Sequence, residues 1–323
     1  MNHALQEALD ALRRGEAIGL PTETVYGLAA DAANPGAVRR IFALKGRPAD
    51  HPLIVHVAGV EALDDWASEV PAAARQLAAA FWPGPLTLVL RKLPRVPEVV
   101  TGGQDTVGLR CPDHPVALAL LREFGGGLAA PSANRFGHVS PTSAAHVRAE
   151  FGDAVPVVLE GGDCTIGIES TIVDFTGGMP RILRPGMLGR DAIEAVIGPV
   201  HEGATAASPR ASGTLEAHYA PRTPLLLLPR PALAKEAAEQ QTLGKAVQIL
   251  ALGDLPDGLP GLALAADPAS YAHGLYAALR ELDGRGANLL LAERPPEAAE
   301  WLAIQDRLRR SAAGAGGYPG DAT

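Results

Sequence analysis

The chain of 323 residues is poor in lysine, in cysteine and in uninterrupted apolar runs, and each shortage excludes something. Only Lys45 and Lys92 are lysines among the first 200 residues, and the whole chain carries 28 Lys+Arg against 36 Asp+Glu, a net charge of −8. Neither part is basic: residues 1–200 hold 17 cations against 22 anions, residues 201–323 hold 11 against 14. Tight nonspecific binding to long nucleic acid needs a basic surface to neutralise phosphates, so that class is disfavoured. The two cysteines, Cys111 and Cys164, form no Cys-x-x-Cys pair. Neither a zinc ribbon nor a disulfide scaffold is suggested, no metal ligand set is expected, and a reducing compartment is. No apolar run reaches the ~18 residues of a membrane span. The N-terminal helix sets Leu5, Leu9 and Leu12 among Glu7, Asp10, Arg13 and Arg14, an acidic interruption that no signal peptide tolerates. A cytoplasmic protein with no membrane partner is expected. The phosphate loop Gly-x-x-x-x-Gly-Lys and the dinucleotide fingerprint are also missing, so any nucleotide binds by another device.

What is present reads as an α/β protein. Asn34 and Pro35 make a favourable N-cap and first residue for a helix whose buried stripe is Val38, Ile41 and Phe42, stopped at Gly46. Further helices are expected at 61–80, interrupted at Pro71, and at 116–124, 143–151 and 191–196. Strands are expected at 17–20, 53–57, 86–90, 107–110, 128–130, 155–159, 168–175 and 182–184. Some adjacent strands lack a helix between them, which predicts a mixed sheet covered by helices over residues 1–200. Residues 201–222 are rich in Ala, Ser, Pro, Gly and Thr and read as a linker or lid. Residues 223–312 alternate strand and helix regularly, as a small parallel, Rossmann-like α/β domain does. The glycine-rich tail, 313–323, is expected to be disordered.

Five clusters could carry chemistry. In Pro21–Leu28, Thr22 and Thr24 flank the carboxylate of Glu23 and could hydrogen-bond a small polar ligand. In the turn from Phe42 to His56, Lys45 offers a mobile point charge and Arg47 a planar fork suited to phosphate or carboxylate. A cation in the last turn of a helix can equally be solvated and offset the helix dipole. Pro48 and Pro52 part His51 and His56 from any metal-binding helical spacing, so a neutral histidine is expected there. Arg110 ends an apolar strand and needs a carboxylate, the protein's or a ligand's. Ala130-Pro131-Ser132-Ala133-Asn134 lets a ligand approach the backbone closely. Gly161-Gly162 leads towards Glu169, Ser170 and Thr171 and can present amides to an anion. Together these describe cations, hydroxyls and amides without a nucleophile or an acid–base dyad. That set suits activation of a carboxylate on a nucleotide phosphate, by positioning and charge neutralisation.

These clusters, in this order, with His218-Tyr219-Ala220-Pro221 beyond them, resemble the YrdC-like family in its long, two-domain threonylcarbamoyl-AMP synthase form. The resemblance implies a YrdC-like twisted mixed sheet with flanking helices plus the small C-terminal domain. It implies a nucleotidyltransferase that condenses L-threonine, bicarbonate or CO2, and ATP into threonylcarbamoyl-adenylate and pyrophosphate, with Mg2+ accompanying the ATP. The adenylate would pass to a partner transferase that modifies adenosine 37 of tRNA, leaving this chain's own tRNA contact indirect or weak. By matching motifs, Thr24, His56, Arg110, Ala130 and Ser170 would hold threonine. Arg47, His51, Thr106, Ser132, Asn134, Ser140, Arg184 and Tyr219 would contact ATP, and Lys45 with Arg47 would neutralise the phosphates. Glu216 stands where many relatives carry a basic residue before the His-Tyr pair, so the resemblance supplies no basic linker contact. Direct RNA recognition and a carbamoyl-phosphate-using transferase are the competing readings. The first is opposed by the acidic balance, the second by the lack of acylphosphatase or zinc-finger segments.

Overall fold

Residue spacing and capping produce the helices where the sequence signals are strongest. In the computed structural model, which describes residues 3–316, a helix spans Pro35–Lys45. The Asn34 side chain accepts from the Gly36 and Ala37 amides at its start. It ends at Gly46, whose φ of 62° is the left-handed conformation that a glycine adopts without a Cβ penalty. Its inward residues Val38 and Ile41 are completely buried, each stabilising the fold by roughly 1.5–3 kcal/mol over an exposed side chain.

The chain divides into two compact units. The first comprises residues 1–136, 141–165 and 169–214. Its strands are β1 (Ile18–Leu20), β2 (Gly27–Asp31), β3 (Ile54–His56), β4 (Ala67–Glu69), β5 (Leu86–Lys92), β6 (Thr106–Arg110), β7 (Leu128–Ala129), β8 (Thr171–Asp174), β9 (Arg181–Arg184) and β10 (His201–Glu202). They make one twisted sheet in the order β1-β2-β7-β3-β6-β5-β8-β9-β10, with β4 also pairing with β5. The β3–β6, β5–β8 and β9–β10 pairs are parallel and the others antiparallel, so the sheet is mixed as expected. Side chains such as Leu28, Val55, Leu88 and Leu109 join Val38 and Ile41 in the main core. Helix His3–Arg13 packs Leu9 and Leu12 with Leu120 and Leu121 in a second one.

Three expectations are corrected here. The helix expected over 61–80 is a short turn and helix to Trp66, the strand β4, and a second helix Ala72–Phe81, because Pro71 cannot continue a helix begun before it. Residues 155–159 are not a strand: Val157 and Leu159 exchange hydrogen bonds with Gly19 alone. Residues 27–31, for which no strand is expected, form β2, paired with β1 and β7.

The second unit comprises residues 137–140, 166–168 and 215–323, described to 316. Strands β11 (Leu225–Leu228), β12 (Val247–Leu252), β13 (Gly261–Leu264) and β14 (Leu289–Glu293) pair in the order β11-β14-β12-β13, all parallel. Such strands are covered on both faces and read as continuous apolar runs, as the four leucines of β11 do. Helices Arg230–Thr242, Pro268–Asp283 and Leu302–Gly314 accompany them. The last helix includes Ala313 and Gly314, where a disordered tail was expected; the rest of that tail, 317–323, lies outside the described residues. The stretch expected as a linker divides: 201–214 belongs with the first unit, starting with β10, and 215–222 with the second. No described helix is long and apolar enough to cross a membrane.

Candidate functional site

The first unit collects its buried polar groups where the sheet strands end and loops begin. The loop between β1 and β2 is organised by Thr22, whose hydroxyl donates to the Val25 carbonyl at 2.6 Å and accepts from the Thr24 and Val25 amides at 3.2 Å. Thr24 is completely buried, its hydroxyl 3.0 Å from that of Thr22. Tyr26 closes the loop by donating to the Gly162 carbonyl at 2.8 Å and accepting the Gly161 amide at 3.1 Å. Gly161 must be glycine, because a Cβ there would lie 2.4 Å from Pro21 Cβ and 2.6 Å from the His114 ring. Burial pushes the Tyr26 hydroxyl up to about 12, so it stays a neutral donor.

Parallel pairing of β3 with β6 sets His56 beside Arg110. Both are buried. Arg110 Nε donates to the Gly84 carbonyl at 3.3 Å, and Nη2 stands 2.6 Å from Glu23 Oε1 in an ion pair closed off from solvent. The partner that Arg110 needed is therefore present in the protein itself. Loss of solvation, reinforced by the Arg110 charge, depresses the His56 pKa to about 3 and keeps its imidazole neutral. An unfolded histidine titrates near 6.5, so below that pH the unfolded chain takes up a proton that the folded chain refuses. Stability is thus lost as pH falls below about 6.5, by up to ~1.4 kcal/mol per unit from this residue. A His56→Gln variant should lose less stability than the wild type between about pH 7 and pH 5, as measured by urea unfolding at each pH.

Lys45 is not a solvated helix-end cation. It is buried, and its ammonium donates to the Ser132 and Asn134 carbonyls, both at 2.6 Å, fastening the Ser-Ala-Asn loop to the helix end. The Phe136 amide returns a hydrogen bond to the Lys45 carbonyl. Burial, with the Arg47 charge adding to it, holds the Lys45 pKa well below the ordinary lysine value. Arg47 is buried too; one amino group donates to the Pro52 carbonyl at 3.0 Å and lies 3.5 Å from Ser212 Oγ. His51 is half-buried, edge-on to Phe136 at 5.4 Å and 3.9 Å from Asp50, with its pKa lowered by burial and by Arg47.

A third group sits at the start of β8. Arg184 is buried and donates from Nε and Nη2 to the Ser170 carbonyl at 3.1 and 2.8 Å. Its Nη1 donates to the Ser212 carbonyl at 2.8 Å. Ser170 Oγ lies 2.8 Å from Thr87 Oγ1. Ser212 thus receives both Arg47 and Arg184, a convergence with no signal in the sequence. Ala211 packs near Val89, Ile172 and Leu183. Arg210, in the same segment, donates to the Asp50 carbonyl at 3.2 Å and the Gly102 carbonyl at 2.8 Å. Beneath this segment a cleft of about 20 Å3 remains, bounded by Ile54, Thr87, Thr106 and Ile172, room for little more than a water.

The structure thus links Thr24, Glu23, His56 and Arg110 in one group. Lys45, Ser132, Asn134, Arg47 and His51 form a second, and Ser170 with Arg184 a third. Ala130 joins the first through its amide, which donates to the Ile54 carbonyl at 3.0 Å. Thr106 is buried at the start of β6. Ser140 and Tyr219 belong to the second unit. There Arg280 donates to the Ser140 carbonyl at 3.3 Å, and Tyr219, at φ 60°, is stacked 5.4 Å beneath the Arg307 guanidinium. Among the described residues no group of three or more His, Cys, Asp or Glu could hold a metal ion.

Comparison with known proteins covers both units. The Sua5/YciO/YrdC family model, described as Telomere recombination, matches residues 10–186, and the model described as Threonylcarbamoyl-AMP synthase, C-terminal domain, matches 188–313. Threonylcarbamoyl-AMP synthase of Pyrococcus abyssi is 42% identical over 311 residues, 93% of this chain and 91% of that protein. Its Bacillus subtilis counterpart is 39% identical over 322 residues, 96% of this chain and 93% of that one. The crystal structure of P. abyssi Sua5 complexed with L-threonine superimposes with a TM-score of 0.90 at 40% identity, covering 96% of this chain and 94% of that one.

Proposed function

The chain belongs to the Sua5/YciO/YrdC family in its long, two-domain form, and from that premise we propose that it makes threonylcarbamoyl-AMP. The observation that carries this is the likeness, along nearly its whole length, to a Sua5 structure holding L-threonine. As a nucleotidyltransferase it would join L-threonine, bicarbonate or CO2, and ATP, releasing pyrophosphate, in the cytoplasm. The product would go to a partner transferase for tRNA modification.

In this mechanism the α-ammonium of threonine first gives up a proton to solvent, the free amine captures CO2 as a carbamate with loss of its second proton, and the new carboxylate attacks the α-phosphorus in line while pyrophosphate leaves. Thr24, His56, Arg110, Ala130 and Ser170 hold the amino acid. His51, Thr106, Ser132 and Asn134 take the nucleotide, with Ser140 and Tyr219 proposed as further contacts. Arg47 and Arg184 are the cations that exchange the Ser212 segment for phosphate oxygens. Supporting this, the Arg184 guanidinium already donates to a backbone carbonyl oxygen of that segment, a neutral acceptor that an anionic phosphate oxygen would replace with a stronger, charge-assisted bond. Lys45 acts by fixing the Ser132–Asn134 carbonyls and by adding positive charge beside Arg47. A divalent metal, Mg2+ in the usual case, would arrive on the ATP phosphates as part of the substrate and supply charge neutralisation there. The stretch 203–214 is the lid portion held by the first unit, and it would exclude water from a hydrolysable mixed anhydride.

Pyrophosphate release from ATP that requires both L-threonine and bicarbonate is the expected result. Release without either, or none at all with both, contradicts the reading.

A further inference from the structure

Beside β3 and β6, the side chains of Glu23, Arg110 and His56 carry polar atoms that are sealed from solvent and unsatisfied. Glu23 Oε1 and Oε2, Arg110 Nη2 and His56 Nδ1 have no hydrogen-bond partner, although Glu23 and Arg110 stand 2.6 Å apart as charges. The ion pair is close but not aligned as a hydrogen bond. Buried polar atoms left unpaired each cost about 1–3 kcal/mol, and a buried pair repays its desolvation only when its remaining hydrogen-bonding capacity is met. The arrangement is therefore incomplete without a ligand that brings both a donor and an acceptor.

Charge decides what kind. Glu23 contributes −1 and Arg110 +1, and His56 is neutral, so the trio is balanced before any ligand enters. The nearby thiols Cys111 and Cys164, raised by burial to about 11 and 12, add no charge. A plain carboxylate docking on Arg110 would place a second anion beside Glu23 with nothing to offset it, a repulsion that grows as water is excluded. An α-amino acid brings its own ammonium one carbon from its carboxylate and keeps the site balanced.

We propose that Glu23 is the specificity-determining anion of this site, receiving the α-ammonium of the amino acid while Arg110 receives its carboxylate. This rests on the threonine site proposed above and adds to it a residue that the family resemblance did not assign. Glu23 then both admits zwitterionic amino acids and turns away hydroxy acids and simple carboxylates.

The test compares L-threonine with 3-hydroxybutyrate, which keeps the carboxylate and the hydroxyl but lacks the amine, by calorimetric titration of the full-length protein. The wild type should bind L-threonine about tenfold to a hundredfold more tightly than 3-hydroxybutyrate, the range expected for one charged hydrogen bond. In Glu23→Gln that preference should collapse, mainly through weaker L-threonine binding. Equal affinities in the wild type overturn the assignment without any variant, so a Glu23→Gln chain that fails to fold does not shelter it. A Glu23→Gln protein that weakens for both ligands alike also overturns it, showing Glu23 to be only the counterion of Arg110. A wild type that binds neither ligand instead refutes the threonine site itself.

Discussion

Lys45→Met should lower adenylate formation by about a hundredfold or more, and restoring ATP to saturation should not recover it. Methionine fills the same buried channel but leaves the Ser132 and Asn134 carbonyls without the ammonium that each now meets at 2.6 Å. Two buried acceptors lose their donor at about 1–3 kcal/mol apiece, so the loop either moves to find other partners or stays in place at that cost. Movement would displace the Ser132–Asn134 groups proposed to position the nucleotide, staying in place would leave two carbonyls without a donor, and in both cases a positive charge beside Arg47 vanishes. Pyrophosphate release under saturating substrates, with the melting temperature measured alongside, checks both effects. Wild-type turnover in the variant would show that Lys45 serves neither the loop nor the phosphates.

Arg110→Ala should be the most destabilising single change at the site. It strands Glu23, which is buried and whose carboxylate oxygens accept no hydrogen bond, as an uncompensated interior charge, at about 3–5 kcal/mol. It also removes the donor to the Gly84 carbonyl. The loss should be read as a shift in the urea midpoint at neutral pH. It should shrink in Arg110→Ala/Glu23→Gln, because the second change removes the stranded charge. If both variants unfold at the same midpoint, the pair carries no coupling. L-Threonine binding should be lost in either background.

Local signals were the legible part of this chain. Asn34, Pro35 and Gly46 bound one helix because a cap, a fixed φ and a left-handed stop are properties of single residues. The parallel C-terminal sheet was legible from leucine-rich runs set between helical stretches. Strand β2 was hidden because Gly27-Leu-Ala-Ala-Asp lacks both alternation and β-branching; its pairing with β1 and β7 comes from tertiary context. Val155–Leu159 has the composition of a strand, yet its bridge pairing is with Gly19 and does not extend into a ladder. At the site, the residue types were readable and their partners were not. Arg110 announced a need for a carboxylate, but Glu23 is supplied by a loop far away in sequence and brought near by the sheet. Lys45 bonds to backbone carbonyls, which leave no mark in a sequence at all.

The two arginines that converge on Ser212 set a threshold on what can occupy this site. Arg184 is already engaged by a carbonyl oxygen, and Arg47 lies beside a hydroxyl of the same residue. An incoming anion must therefore outbid an intramolecular competitor that is always present at high local concentration. On the proposed role of these arginines, a lone phosphate ion would offer too few contacts to do so, whereas a nucleoside triphosphate would displace the segment with several groups at once. Apparent affinity would be the intrinsic affinity multiplied by the fraction of time the segment is lifted, and the protein would gain selectivity among anions in exchange.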